Sequence, residues 1–129
     1  MTMHRTLLVF AMAAVVALAT AAVASATTYS TSSSFGFVQH PDAALGQINF
    51  NTGPGACRQG RKVKLFRKRH GRDALVGSDR SDSAGQWEVN ENLRDGKRYY
   101  VKILSKTFGY GNSCRSYTSS ALRFPSGTA

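Results

Sequence analysis

From residue 47 the chain alternates apolar and polar positions with a period of two, the signature of half-buried strands. Ile48 and Phe50 alternate with Gln47, Asn49 and Asn51, and the run stops at Thr52-Gly53-Pro54-Gly55. The next run, 61–67, sets Val63 and Leu65 against Lys62 and Lys64 on the opposite face. A loop at His70-Gly71-Arg72-Asp73 leads to a short strand over 74–78. Asp82-Ser83-Ala84-Gly85 reads as a turn, because Asp bonds its own backbone and Gly accepts positive φ. Residues 86–90 then place Trp87 and Val89 inward, and after Asp95-Gly96 the longest run, 98–106, puts Tyr99, Val101 and Ile103 on one face. A last strand over 117–124 ends at Pro125. Upstream the signals are weaker: a first short strand at 35–38 interrupted by Gly36, a turn at His40-Pro41-Asp42, and one uncapped helical turn over 43–46. Six to seven short strands with no sustained helix predict an all-β class, a single antiparallel Ig-like sandwich with Trp87 near its centre.

The ends carry a different pattern. His4 and Arg5 precede an apolar stretch over 7–23 that closes on Ala24-Ser25-Ala26, the small-residue pattern of a signal-peptidase site. Cleavage after Ala26 leaves Thr27 first. The competing reading is an uncleaved anchor, since some 17 apolar residues sit at the lower limit of a span; the Ala-rich run and the well-formed site favour cleavage. The chain thus divides into an export signal (1–26), a Ser/Thr-rich, partly ordered lead-in (27–44), a β-sandwich domain (45–125) and a frayed tail (126–129). No second apolar run follows, so the expected destination is extracellular or the cell surface, with no transmembrane segment after processing.

Export gives the two cysteines, Cys57 and Cys114, a meaning: an oxidising compartment and one disulfide. Closing a loop of this length is worth about 4 kcal/mol in the chain-entropy model. That matters for a domain of about 100 residues, whose core is modest. A covalent dimer through one cysteine is the alternative pairing; a monomer is expected.

One stretch resembles a known group. Cys57, Arg61-Lys62-Val63-Lys64-Leu65, Val76-Gly77-Ser78-Asp79, Asp82-Ser83-Ala84-Gly85-Gln86-Trp87, Lys97, Tyr99-Tyr100, Lys102 and Cys114 together are similar to the carboxypeptidase-regulatory-like, or transthyretin-like (prealbumin-like), β-sandwich domains of small exported bacterial proteins. The resemblance implies a fold and an accessory, adhesive or folding-support role. Transthyretin-related hydrolases end in a Tyr-Arg-Gly-Ser segment, whereas this chain ends Phe124-Pro125-Ser126-Gly127-Thr128-Ala129; their activity is not carried over.

The residues offer little to catalysis. His40 and His70 lack neighbouring ligands for a metal, and Asp79 and Asp82 lack the oxygen-ligand spacing and terminal Glu of a calcium loop. No serine sits in a nucleophile elbow. The expectation is a non-enzymatic protein without metal or cofactor, a hydrolase-like enzyme being the remote alternative. Charge is more informative. After processing, sixteen Lys and Arg face seven Asp and Glu, and half of those bases fall between Arg58 and Arg72, where no acid occurs. Lys62, Lys64, Phe66 and Lys68 share a face by alternation; Arg67, Arg69 and Arg72 carry the charge into the loop, and Tyr100 and Lys102 widen the face if their strand lies alongside. Such a surface attracts polyanions through a salt-dependent field: wall polymers, anionic glycans, lipid headgroups or extracellular DNA. Against this stands a solvated outer face whose lysines keep a strand edge from aggregating. A third reading gives recognition of a sugar or protein to the Phe108–Tyr117 loop, where Phe108, Tyr110 and Tyr117 surround Gly109 and Gly111.

Overall fold

The structure, a computed structural model, describes residues 25–49 and 53–125. Residues 1–24, on which nearly all of the expected export signal falls, residues 50–52, and the expected tail at 126–129 lie outside the described residues. Within them the chain is an all-β sandwich. Its strands are β1 (Thr28–Tyr29), β2 (Gly36–Val38), β3 (Ala43–Gln47), β4 (Lys62–Arg67), β5 (Ala74–Arg80) and β6 (Gln86–Asn90). They continue as β7 (Arg98–Ile103), β8 (Lys106–Phe108), β9 (Asn112–Cys114), β10 (Tyr117–Thr118) and β11 (Leu122–Arg123). A short 3-10 turn, Gly55–Cys57, precedes β4.

The large sheet runs β10-β7-β4-β5, with β11 also paired to β7; the small sheet runs β2-β3-β6. Alternation on β4 and β7 sends Val63, Leu65, Tyr99, Val101 and Ile103 inward, where they meet Ala44, Trp87 and Val89 of the small sheet. Phe37 closes one end of this core edge-on to Tyr99 and Phe124, at 6.0 and 5.3 Å between ring centres. Trp87 is 3% exposed and donates its indole N–H to Ser33 Oγ at 2.9 Å. Its ring lies so close to Gly46 that a Cβ there would stand 2.5 Å from Trp87 Cζ2 and would collide with the Ser34 carbonyl oxygen. Only glycine fits.

A third sheet, β1-β9-β8, lies at the disulfide end. Here β1 pairs in parallel with β9, so the Ser/Thr-rich lead-in contributes a strand. Cys57 and Cys114 form the disulfide, with Cα atoms 5.6 Å apart, and both are fully buried.

The structure corrects several element readings. Residues 43–46 form strand, not a helical turn: the segment's backbone is taken up in ladders with β2 on one side and β6 on the other, and Ala43 and Ala44 are fully buried opposite Asn90 and Val89. The 98–106 run divides after Ile103, where the chain leaves the large sheet for β8. The 117–124 run divides because Ser119 takes over the ladder, its Oγ accepting from Val101 N–H at 2.9 Å and its own N–H donating to the Val101 carbonyl. These two divisions and the unforeseen β1 and β9 bring the strand count among the described residues to eleven, against the expected six or seven, and the strand read from Gln47 onward instead ends there, leaving Ile48 a single bridge to Ser33. The turn at 82–85 forms as read. Asp82 Oδ1 accepts from the Ala84 and Gln86 amides, both at 2.9 Å, and Gly85 sits at φ 81°.

Candidate anion-binding face

The face of the large sheet that turns away from the core is set by the same alternation that builds the core. On β4 the outward positions are Lys62, Lys64 and Phe66; on β7 they are Arg98, Tyr100 and Lys102. The two strands are antiparallel neighbours, so Lys64 stands directly opposite Lys102 and Phe66 opposite Tyr100. On the other side of β4, Lys62 stands opposite Arg80 and Lys64 opposite Ser78. Arg123 of β11 stands opposite Arg98. Three cross-strand pairs therefore join cation to cation: Lys64 with Lys102, Lys62 with Arg80, and Arg98 with Arg123. Like charges directly opposite one another destabilise a sheet.

An aromatic platform interrupts the charge. The Phe66 and Tyr100 rings stack at 5.3 Å with 15° between planes, and Lys68 Nζ lies 6.0 Å from the Tyr100 ring centre. Leu75, 57% exposed, extends this apolar strip because a bulge brings it opposite Phe66. The bulge leaves Val76 as the extra residue, and Val76 packs against the core.

Among the described residues one carboxylate, Asp73, is tied to this face. It accepts the Tyr100 hydroxyl at 2.8 Å through Oδ2 and the Arg69 amide at 3.2 Å through Oδ1, fastening the loop after β4 to β7. The Tyr100 hydrogen bond, the Arg69 amide and the nearby Lys68 and Arg69 charges hold the Asp73 carboxyl below its ordinary pKa. The same bond raises that of the Tyr100 phenol, and its partial burial adds to the rise.

Where β4, β7 and β11 meet the connections at that end, an open depression of about 530 Å³ forms. Arg67, Lys68, Arg69 and His70 line it from the end of β4 and the loop beyond; Arg94, Gly96, Lys97, Arg98 and Arg123 line it from the other side. The residues read as basic from the sequence are thereby sorted. Lys62, Lys64 and Lys102 lie on the sheet face; Arg67, Lys68 and Arg69 line the depression; Arg72 stays on the exposed loop, its carbonyl accepting Arg69 Nε at 2.6 Å. The sequence reading missed Arg80, Arg94, Lys97, Arg98 and Arg123. Arg94, Lys97 and Arg98 were visible as a second basic cluster around Asp95-Gly96; nothing local tied them to β4.

Arg61, by contrast, leaves the surface altogether. It is 1% exposed, and its guanidinium donates to the carbonyls of Cys57 (2.7 Å), Leu104 (2.9 Å) and Arg115 (2.9 Å) and to Thr31 Oγ1 (3.1 Å). Burial lowers its pKa from the ordinary value.

Phe108 is half-buried against Tyr29, with ring centres 6.1 Å apart, and Tyr117 packs on the core. Tyr110 alone of the three projects from the loop, 92% exposed. His40 and His70 are exposed in separate turns. Among the described residues no group of three or more His, Cys, Asp or Glu side chains could hold a metal ion, and no helix is long and apolar enough to cross a membrane. Two further depressions, of about 690 and 770 Å³, carry acids on their walls. Three of those carboxylates serve the backbone: Asp42 Oδ2 accepts the Leu93 amide, Asp79 Oδ2 the Glu88 amide, and Asp82 holds its own turn. No protein-family model, curated protein or solved structure matches the chain.

Proposed function

We propose that this protein is an exported, monomeric, non-enzymatic binding module whose large-sheet face takes an anionic polymer. The reading includes cleavage after Ala26 and a transthyretin-like sandwich serving as an adhesive or accessory domain. A single observation carries it: cations stand opposite cations at Lys64–Lys102 and Lys62–Arg80, across a sheet whose outer positions could as easily have alternated in sign. A face that only solubilises or guards a strand edge gains nothing from such pairing, and Lys64 and Lys102 are on the two interior strands of the sheet rather than its edges. An anion lying along the strands relieves the repulsion, and the Phe66–Tyr100 stack offers a flat surface to a sugar or base carried by the same polymer.

Retention on heparin and DNA columns tests this reading. Lys64→Glu and Arg115→Glu change net charge equally, but Arg115 belongs to the disulfide end. Lys64→Glu is expected to elute at clearly lower salt than Arg115→Glu on at least one polymer. Equal shifts for the two variants would reduce the effect to net charge and defeat the proposal.

A further inference from the structure

The depression at the end of the large sheet has a composition unlike the rest of the face. Seven Lys and Arg line it with His70 and one glycine, and no Asp or Glu does. Five of the seven are arginine: Arg67, Arg69, Arg94, Arg98 and Arg123. The sheet face proper is mostly lysine.

That difference is chemical. An ammonium is a compact point charge, whereas a guanidinium presents a planar fork that matches two oxygens of one phosphate or carboxylate. The backbone beneath the forks is held from several directions. Lys68 N–H donates to the Arg98 carbonyl at 2.8 Å, Gly96 N–H to the Phe124 carbonyl at 2.7 Å, and Phe124 N–H to the Lys97 carbonyl at 2.8 Å. Arg123 Nη1 donates to the Gly96 carbonyl at 3.0 Å, which fixes one guanidinium in the wall. Phe124, 1% exposed and packed edge-on to Phe37, anchors the strand that carries Arg123. The loop bearing Arg69 is fastened through Asp73. Cations are thus gathered against their mutual repulsion on a framework already ordered before any ligand arrives, and pre-organisation of this kind lowers the ordering cost of binding.

We propose that this depression is a discrete site for phosphoryl oxyanions, taking adjacent phosphoryl groups of the polymer that lies along the sheet. The inference rests on the anionic-polymer reading and sharpens it: arginine forks select the oxyanion, and the lysine face supplies the field. Phosphate is favoured over carboxylate because seven cations lining one cavity call for more than one negative charge per group. The volume, about 530 Å³, falls in the range of small-molecule sites and exceeds what a single phosphate needs.

Calorimetric titration of the protein with pyrophosphate at low ionic strength tests the site. Saturable one-site binding is expected. Arg98→Gln with Arg123→Gln is expected to weaken it about tenfold or more, since each removes a charge-assisted contact, and the corresponding pair of Arg→Lys changes should weaken it less. Lys64→Gln with Lys102→Gln should leave it within about twofold, because screening limits the reach of exposed charges. A sulfated disaccharide and citrate run beside pyrophosphate separate phosphate from sulfate and carboxylate sources. If the protein binds either of them as tightly as pyrophosphate, the phosphate assignment is overturned. Absence of saturable binding, or equal loss in the two Gln pairs, overturns the site. Unfolding midpoints of each variant confirm that the fold is intact. Polymer retention that survives while pyrophosphate fails to bind would overturn the pocket alone; loss of the Lys64 effect on retention with pyrophosphate binding intact would overturn the face alone.

Discussion

Arg61 uses all five N–H groups of its guanidinium on carbonyls and one hydroxyl. Carbonyl dipoles from three separate segments take the place of a carboxylate partner, which makes the residue a hub for chain geometry. Removing it leaves the Cys57, Leu104 and Arg115 carbonyls short of donors in a buried place. Arg61→Met is therefore expected to lower unfolding free energy by about 3 kcal/mol, measured by urea denaturation; a loss within experimental error would contradict the hub. Asp73 illustrates the opposite balance, a single acid on a basic surface. Its native pKa lies below the ordinary value, so its contribution to stability is in place above the unfolded chain's carboxylate range. That contribution is lost as pH falls through the native value. Tyr100 bounds the other side: its raised native pKa gives a contribution present below the ordinary phenol value and lost as pH rises through the native one. Asp73→Asn is expected to bring the Tyr100 titration midpoint down, read from its ring carbon shifts. An unmoved midpoint would show that the hydrogen bond does not set it.

At the scale of elements, the disulfide and Arg61 act on the same corner by different physics. The cystine restricts the unfolded chain's freedom across a sequence separation of 57, while Arg61 holds the Cys57 and Arg115 carbonyls in the native state. Cys57→Ala with Cys114→Ala is expected to reduce stability by about 4 kcal/mol. The corner should nevertheless keep its native amide shifts, because the guanidinium still bridges it. Random-coil shifts there would mean that the covalent bond alone holds the corner. The strand β4 also shows what alternation makes legible. Its parity sends 61, 63 and 65 one way and 62, 64 and 66 the other, so the burial of Arg61 beside Val63 and Leu65 was implicit in the pattern, although its charge argued for the surface. Sidedness is local and can be read; pairing is not. Nothing near Arg98 announces that Arg123 will stand opposite it, because that pairing depends on the return of β11 to β7. The breaks at Ile103 and Ser119 were hidden for the same reason, since each depends on a partner elsewhere in the chain.

Across the whole molecule the charges are segregated. Of the seven Asp and Glu, all but Asp73 line the two acid-walled depressions: Asp42, Glu91 and Asp95 in one, Asp79, Asp82 and Glu88 in the other. The outer face of the large sheet carries Lys62, Lys64, Arg80, Arg98, Lys102 and Arg123, while Lys106 and Arg115 lie at the disulfide end and Arg61 is buried. Segregation of this kind gives the molecule a direction in the field of a polyanion, so that the large sheet arrives first. On the proposed reading it also sets stability against binding, because cross-strand repulsion weakens the fold that displays it. Those two effects have opposite signs in one variant. Lys102→Glu places a carboxylate opposite Lys64 and is expected to raise unfolding free energy by about 0.5 kcal/mol at low salt, a gain that added salt removes. The same change should lower the salt at which the protein leaves a heparin or DNA column. Denaturation and chromatography on one preparation read both. If Lys102→Glu stabilised the sheet and left retention untouched, the paired cations would be repelling each other to no purpose that an anionic partner explains. If it destabilised the sheet, the repulsion inferred from the register would itself be wrong. A stabler protein that binds more weakly is the outcome that ties the facing lysines to a ligand.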